Sequence, residues 1–305
     1  VISDGDGGGT LTYAGNGVDN EYSVQPAGGG SHSIDLNNRV LVTTTGVTTY
    51  ELDAQGGANS SLSVTTVAGA GSTSTVDLMT STLTVSGLPV IEFGMTADAA
   101  VSSIPALTIL GKNGFADTLT VNSFGIETTM TSLAFDGGDS DVADDADVVT
   151  LNLVGGGNAV TVTPMSNRET TIAHVGSGLT VSASGLAGVV GRLVLAAVND
   201  GETDALTVVG SAGVDEFVST TGLVTLTSGG GVRVPVNYSG FETLTLDGLD
   251  GADSFDVTPD AVPVTVNGGL PTTGAMTDSL TVRSAALNVT HAFDAVPGGG
   301  SVMVA

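Results

Sequence analysis

Apolar and polar residues alternate with a period of two through most of this chain, as at 118–121 (TLTV), 161–163 (TVT), 205–208 (ALTV), 243–246 (TLTL) and 262–266 (VPVTV), and helical periodicity is almost absent. That alternation belongs to strands with one buried face. In its two best copies, 205–219 (ALTVVGSAGVDEFVS) and 243–257 (TLTLDGLDGADSFDV), two inward residues precede a glycine-bounded turn, an Asp and an inward Phe. The residues are Leu206, Val208, Asp215 and Phe217 in one copy, and Leu244, Leu246, Asp253 and Phe255 in the other, where Val257 follows. Segments 10–24 and 106–121 repeat the plan with small length changes, and 149–162 is a shortened version. The pattern predicts that these inward side chains share one elongated apolar core.

A larger unit encloses the smaller one. Residues 46–64 match 240–257 at Gly46/Gly240, Thr49/Thr243, Leu52/Leu246, Asp53/Asp247, Gly57/Gly251, Ala58/Ala252 and Ser60/Ser254, with one extra residue in the earlier copy. Looser copies start near Gly87, Gly125 and Gly185. Repeats of roughly 20–50 residues mark solenoids and arrays, in which a unit buries its apolar face only against the next. The loop inside the repeat swells from 247–254 to the acidic span 136–147 without disturbing its flanking strands, whereas hairpins need two-residue primed turns or short bulged loops. The expected fold is all-β: an irregular parallel β-helix or β-solenoid, with 1–305 as a single repeat-built segment. Tandem small β-sandwich modules are the alternative. Glycine-rich runs such as 155–157 and 229–231 read as turns, and 27–31 and 298–301 as flexible loops or joints.

Composition sharpens this picture. Hydrophobic residues are 41% of the chain but aromatic ones only 4%, with no Trp, so the core is built from Val, Leu, Ile and Ala. The balance of 32 acidic against 6 basic residues gives a formal charge of −26 and argues against nucleic acid or anionic membrane as partners, since phosphate contacts need clustered Lys and Arg. So much like charge is most tolerable when cations or high salt screen it. There is no cysteine, no apolar run long enough for a membrane helix and no charged-then-apolar leader at Val1. The chain begins without Met and β-type sequence runs to both ends, which reads as a processed or excised piece of something longer.

Residues 248–256 (GLDGADSFD) resemble the glycine- and aspartate-rich nonapeptide of hemolysin-type (RTX) calcium-binding repeats, through Gly248, Gly251, Asp253 and Phe255, with Leu249 in place of the second glycine. The larger unit, with its LTL, DSFDVTP and VTVNGG runs, resembles the repeats of long secreted bacterial surface proteins of the planctomycete type. The resemblance implies an extracellular or cell-surface protein and Ca²⁺ as the cofactor to look for.

The chemistry available fits that expectation. Asp136, Asp139, Asp141, Asp144, Asp145 and Asp147 crowd one loop without Lys or Arg, and hard oxygen donors packed so closely suit Ca²⁺. Asp247, Asp250 and Asp253 form a second candidate metal group, and Asn199, Asp200, Glu202 and Asp204 a weaker third. His32, His174 and His291 fall into no close ligand spacing and read as ordinary surface or turn residues. No nucleophile elbow, P-loop or dinucleotide fingerprint occurs, and the Thr-x-Thr runs read as the solvent face of strands. Catalysis is not expected, although β-helices host carbohydrate-active enzymes and paired carboxylates could serve as acid and base. The expected role is a non-catalytic structural component of an extracellular fibre, sheath or surface layer that self-associates through repeat stacking into a polymer or layer. The stalk of a secreted adhesin is the alternative.

Overall fold

The computed structural model describes the chain except for residues 1, 4–8, 15–18, 38–40, 54–58, 67–70, 94–103, 126–129, 139–146, 187–191, 199, 260–261, 270–277, 284–288, 294–299 and 305. The described residues contain no helix, and their strands form two sheets, sheet A with 15 strands and sheet B with 14. The chain crosses from one sheet to the other and back, and each crossing lays a strand parallel to the one it placed a coil earlier. In sheet A, Ser61–Thr65, Ala106–Leu110 and Ser132–Asp136 pair in this way. Thr73–Asp77, Thr118–Phe124, Val148–Leu153 and Arg192–Ala196 do so in sheet B. The result is an all-β solenoid of two facing sheets, open at its sides, with one continuous core.

Period-two alternation makes this stacking self-consistent, because parallel in-register pairing places inward residue on inward residue. Val160, Leu206, Leu244 and Val264 form one buried rank, and Val162, Val208, Leu246 and Val266 the next. Across the core in sheet B, Phe217 pairs with Phe255, their rings stacked at 5.1 Å with 12° between planes. The inward residues expected of both best copies, Leu206, Val208, Phe217, Leu244, Leu246, Phe255 and Val257, are all buried. On the outside of sheet A, Thr161, Thr207, Thr245 and Thr265 share one rank, but the neighbouring rank runs Thr163, Val209, Asp247 and Asn267, so no double threonine array forms there.

The parallel stack is interrupted by four antiparallel three-strand meanders that alternate between the sheets. Glu21–Gly28, Ser31–Leu36 and Val42–Thr45 lie in sheet A, and Thr73–Asp77, Thr82–Val85 and Val90–Glu92 in sheet B. Ala159–Pro164, Thr170–His174 and Thr180–Ser184 return to sheet A, and Asp215–Thr220, Leu223–Ser228 and Val236–Ser239 to sheet B. In each, the first strand joins the coil that follows and the last joins the coil before, so the chain steps forward and then fills in behind itself. The primed turns missing from the swelling loops are found here. Gly29 and Gly30 (φ 62° and 76°) and Gly229 and Gly230 (58° and 79°) are two-residue turns with positive φ at both centres.

The repeat starts share a conformation rather than a place. Gly46, Gly87, Gly125, Gly185 and Gly240 all have φ between 72° and 108°. At Gly240 a Cβ would stand 2.1 Å from the Ala197 carbonyl oxygen of the neighbouring coil, so the close approach also demands glycine. After three of these turns an apolar residue plugs the corner: Val47, Leu186 and Phe241 are buried. The best-matching copies occupy opposite sheets, since Val47–Asp53 lies in sheet B and Thr243–Asp247 in sheet A.

Leu244 lies in the core between Leu206 and Val264, whereas Thr245 beside it faces out. Leu244→Ala is expected to lower unfolding free energy by about 2–5 kcal/mol in urea titrations. Thr245→Ala should shift it by no more than about 0.5 kcal/mol.

Candidate functional site

The most distinctive polar feature is a set of side chains at the corners where the chain starts a new strand. At these corners a parallel strand begins when the amide after the corner residue bonds the carbonyl of the corner residue one coil earlier, as in Val148 N–H to Asp117 O (3.0 Å), Ala205 to Asn158 (2.7 Å) and Ser279 to Asp253 (2.8 Å). The corner residue's own N–H finds no carbonyl in the next coil. A side-chain oxygen of the next corner residue accepts it instead.

Ser72 N–H donates to Asp117 Oδ1 (2.6 Å), and Asp117 N–H donates to Asp147 Oδ1 (2.7 Å). Asp215 N–H donates to Asp253 Oδ1 and Asp253 N–H to Asp278 Oδ1, both at 2.9 Å. On the opposite side of the solenoid, Asn158 N–H donates to Asp204 Oδ1 (2.7 Å) and Asp204 N–H to Glu242 Oε2 (2.8 Å). Near the start, Asn20 N–H donates to Ser60 Oγ (3.1 Å). Ser60 therefore stands where Asp253 stands in the matching repeat, which corrects the Ser60/Ser254 match to Ser61/Ser254 and sets the extra residue of the earlier copy before Ser60. Hydrogen bonds to a charged acceptor contribute about 1.5–3 kcal/mol each, roughly twice a neutral one.

The repeat's glycines make room for these carboxylates. A Cβ on Gly111, Gly137, Gly210, Gly248 or Gly268 would lie 2.6, 2.5, 2.4, 2.4 or 2.2 Å from Oδ2 of Asp117, Asp147, Asp215, Asp253 or Asp278 respectively. Gly and Asp thus form one structural pair, whatever the loop between them does. Second oxygens are satisfied unevenly. Asp117 Oδ2 accepts the Lys112 N–H (2.8 Å) and Asp215 Oδ2 the Ser211 N–H (2.6 Å). Oδ2 of Asp204 and of Asp253 is buried with no hydrogen-bond partner among the described residues. Burial above all, with the carboxylates of Asp215, Asp278 and Asp247 nearby, outweighs the Asp215 N–H and pushes the Asp253 carboxyl up to about 6.

The candidate metal ligands that are described have other partners or positions. Asp147 and Asp253 belong to the corner files. Asp136 Oδ1 accepts the Gly138 N–H at 3.0 Å. Asp247 Oδ1 accepts from Leu249 N–H and Asn267 Nδ2, and Asp250 is exposed. Asp139, Asp141, Asp144 and Asp145 lie outside the described residues. Among the described residues no three acidic or histidine side chains converge as a metal-holding group. His174, expected at the surface or in a turn, is instead 5% exposed. His32 sits beside the Gly87 carbonyl at 2.9 Å, and the side chain of His291 is not among those described.

No family model, curated protein or solved structure matches the chain. Its chemistry is therefore argued from its own geometry. That geometry gives a register device: a slip of one residue would break every corner bond at once and turn the apolar face outward. The amino-acid pattern marks Asp204 only as a member of a weak metal group and Asp215 only as the Asp of the repeat motif, and it singles out neither Asp117 nor Asp278. Their signal is positional, because each stands two residues before the first inward side chain of its strand.

A carboxyl raised from its ordinary value near 4 to about 6 favours the native state when protonated. That contribution is complete below the ordinary carboxyl range and is lost as pH rises through about 6. Asp253→Asn keeps an oxygen for the Asp215 N–H but removes the charge. It should melt higher than the wild type at about pH 7.5, and the difference should shrink as pH falls through about 6. A pH-independent difference would contradict this account of the site.

Proposed function

We propose that this protein is a non-catalytic structural element of an extracellular fibre, sheath or surface layer, assembled by stacking coil on coil with the same code that joins its own coils. The observation that carries the proposal is the recurrence of those joins: inward rank on inward rank along the parallel stack, with a side-chain acceptor for the preceding coil's N–H at the corners that lack proline or a carbonyl partner. At one edge of sheet B, Ser279–Val282 is paired among the described residues only with Ser254–Val257. There Leu280 and Val282 are half-buried, whereas Phe255 and Val257 one coil inward are 2% and 0% exposed. Gly9–Ala14 at the other edge likewise leaves Leu11 and Tyr13 half-buried. Both are parallel members of sheet B, so a further strand can add to that sheet in the same sense at either edge, whereas the C-terminal end of sheet A carries Gly300–Val304 and Val289–Phe293 as antiparallel strands. Burying such an edge against another repeat removes its unpaired backbone groups from water.

Dents in the outer face of sheet A, of about 240 Å³ beside Asp136 and Glu169 and about 160 Å³ beside Glu21 and Asp35, are open and contain no Lys or Arg. They are smaller than the roughly 300–1,000 Å³ clefts that bury small ligands. Calcium belongs to the proposal as a stabiliser of the acidic span 136–147, whose carboxylates are the donors it takes. Millimolar Ca²⁺ at fixed ionic strength should raise the melting temperature by mass action, and a chelator should reverse the gain. An unchanged melting temperature would remove calcium from the reading.

Assembly is tested by sedimentation and electron microscopy over a concentration series. The wild type should form linear assemblies, and Leu280→Lys, which places a charge on the half-buried edge, should remain monomeric with its melting temperature nearly unchanged. A wild type that stays monomeric at high concentration in Ca²⁺ would overturn the proposal.

A further inference from the structure

The ring of His174 closes one end of the meander Ala159–Pro164, Thr170–His174 and Thr180–Ser184, and its hydrogen bonds fix its protonation. Nδ1 accepts the Ser177 N–H at 2.9 Å, so the ring proton resides on Nε2, which faces Asn158 Oδ1 at 3.0 Å and donates to it. Asn158 Nδ2 then donates to Asp204 Oδ1 (2.9 Å) and to the Gly155 carbonyl (2.7 Å). His174, Asn158, Asp204 and Glu242 thus form one directed polar chain across successive coils.

The ring has little room to adjust. It lies edge-to-face against Phe124, with centroids 5.7 Å apart. A Cβ on Gly125 would come within 3.1 Å of Nε2, and one on Gly176 within 3.1 Å of Cε1. The charged groups on the elements around it are carboxylates. Asp204 stands beyond Asn158, Glu242 is bonded to the Asp204 amide, and Asp200 and Glu202 lie in the loop against Gly156. Ser177, Asn158 and Phe124 are neutral.

We propose that His174 is an acid-released latch: neutral, it ties the hairpin end of this meander to the Asn158–Asp204 corner and the Phe124–Gly125 turn, and protonated, it releases Ser177 and loosens the stack at this joint. A proton on Nδ1 breaks the bond from the Ser177 N–H, leaves only Ser177 Oγ at 3.1 Å as an acceptor beside it, and places a cation inside the core. Burial lowers the ring's proton affinity, and the Asp204 carboxylate only partly restores it. With the native value below the unfolded one, the latch contributes stability that is complete above the ordinary histidine range near 6.5 and is lost as pH falls through the native value. The device would let a mildly acidic surrounding soften the solenoid at an internal joint while leaving the corner files intact.

The test is NMR of the intact chain, combining the imidazole titration with amide exchange corrected for intrinsic rates at about pH 7.5 and about pH 5. The ring is expected as the Nε2–H tautomer titrating below 6.5, with Ser177 amide protection falling at least about tenfold between the two pH values. His174→Gln, a neutral donor and acceptor, should leave Ser177 protection independent of pH. Equal losses in wild type and variant, an Nδ1–H tautomer, or titration at or above 6.5 would each overturn the latch. Should His174→Gln fail to fold, the wild-type tautomer and titration decide alone.

Discussion

A backbone N–H at many of the corners, one residue short of its strand ladder, is the constraint on which the solenoid's register depends, and at Pro105, Pro235 and Pro263 proline removes that N–H instead. Left unpaired, it would cost about 1–3 kcal/mol per coil. The next coil answers with a side-chain oxygen on a residue two positions ahead of its first inward apolar side chain. That requirement sets the register, selects Asp, Glu or Ser at the acceptor corners, and in sheet B sets a glycine against the carboxylate. Loops between glycine and acid are then free to vary, and the Gly210–Asp215 and Gly137–Asp147 pairs hold the same geometry across spans of different length.

The device carries an electrostatic cost. Asp215, Asp253 and Asp278 follow one another along the axis in a chain with a formal charge of −26, and burial first, then the neighbouring carboxylates, raises the proton affinity of the middle member. Elsewhere the neutral Ser60 takes the acceptor role without adding charge, and the neutral residues Ser72 and Asn158 enter the files as donors. Breaking such a file by removing one partner differs from neutralising it, because only the first leaves a buried donor stranded.

Much of the fold was legible in the sequence because alternation leaves little choice about which residues face inward. Leu206, Val208, Leu244 and Leu246 are buried as the period-two pattern requires. The reversed order of the meanders was not legible, since parallel and antiparallel strands share one alternation and only the turns differ. Gly229 and Gly230 carried that information but read equally well as any loop. The corner acids were visible, yet an Asp beside a glycine-rich loop has the composition of a calcium ligand and of a backbone acceptor alike. Which it is depends on where the carboxylate points, and that follows from stacking the coils. His174 read as a turn residue because its neighbours, HVGSG, are those of a turn. Its burial comes from the coils on either side of the meander, which local sequence does not encode.

The central claim, that side-chain acceptors of one coil hold the corner amides of the coil before, is tested most directly by residue-resolved amide exchange in the native protein. The account predicts that the amides of Asp117, Asp215 and Asp253 exchange as slowly as those of the strands they introduce, and far more slowly than the turn amide of Gly230. Corner amides that exchange at the rate of that open turn would contradict it.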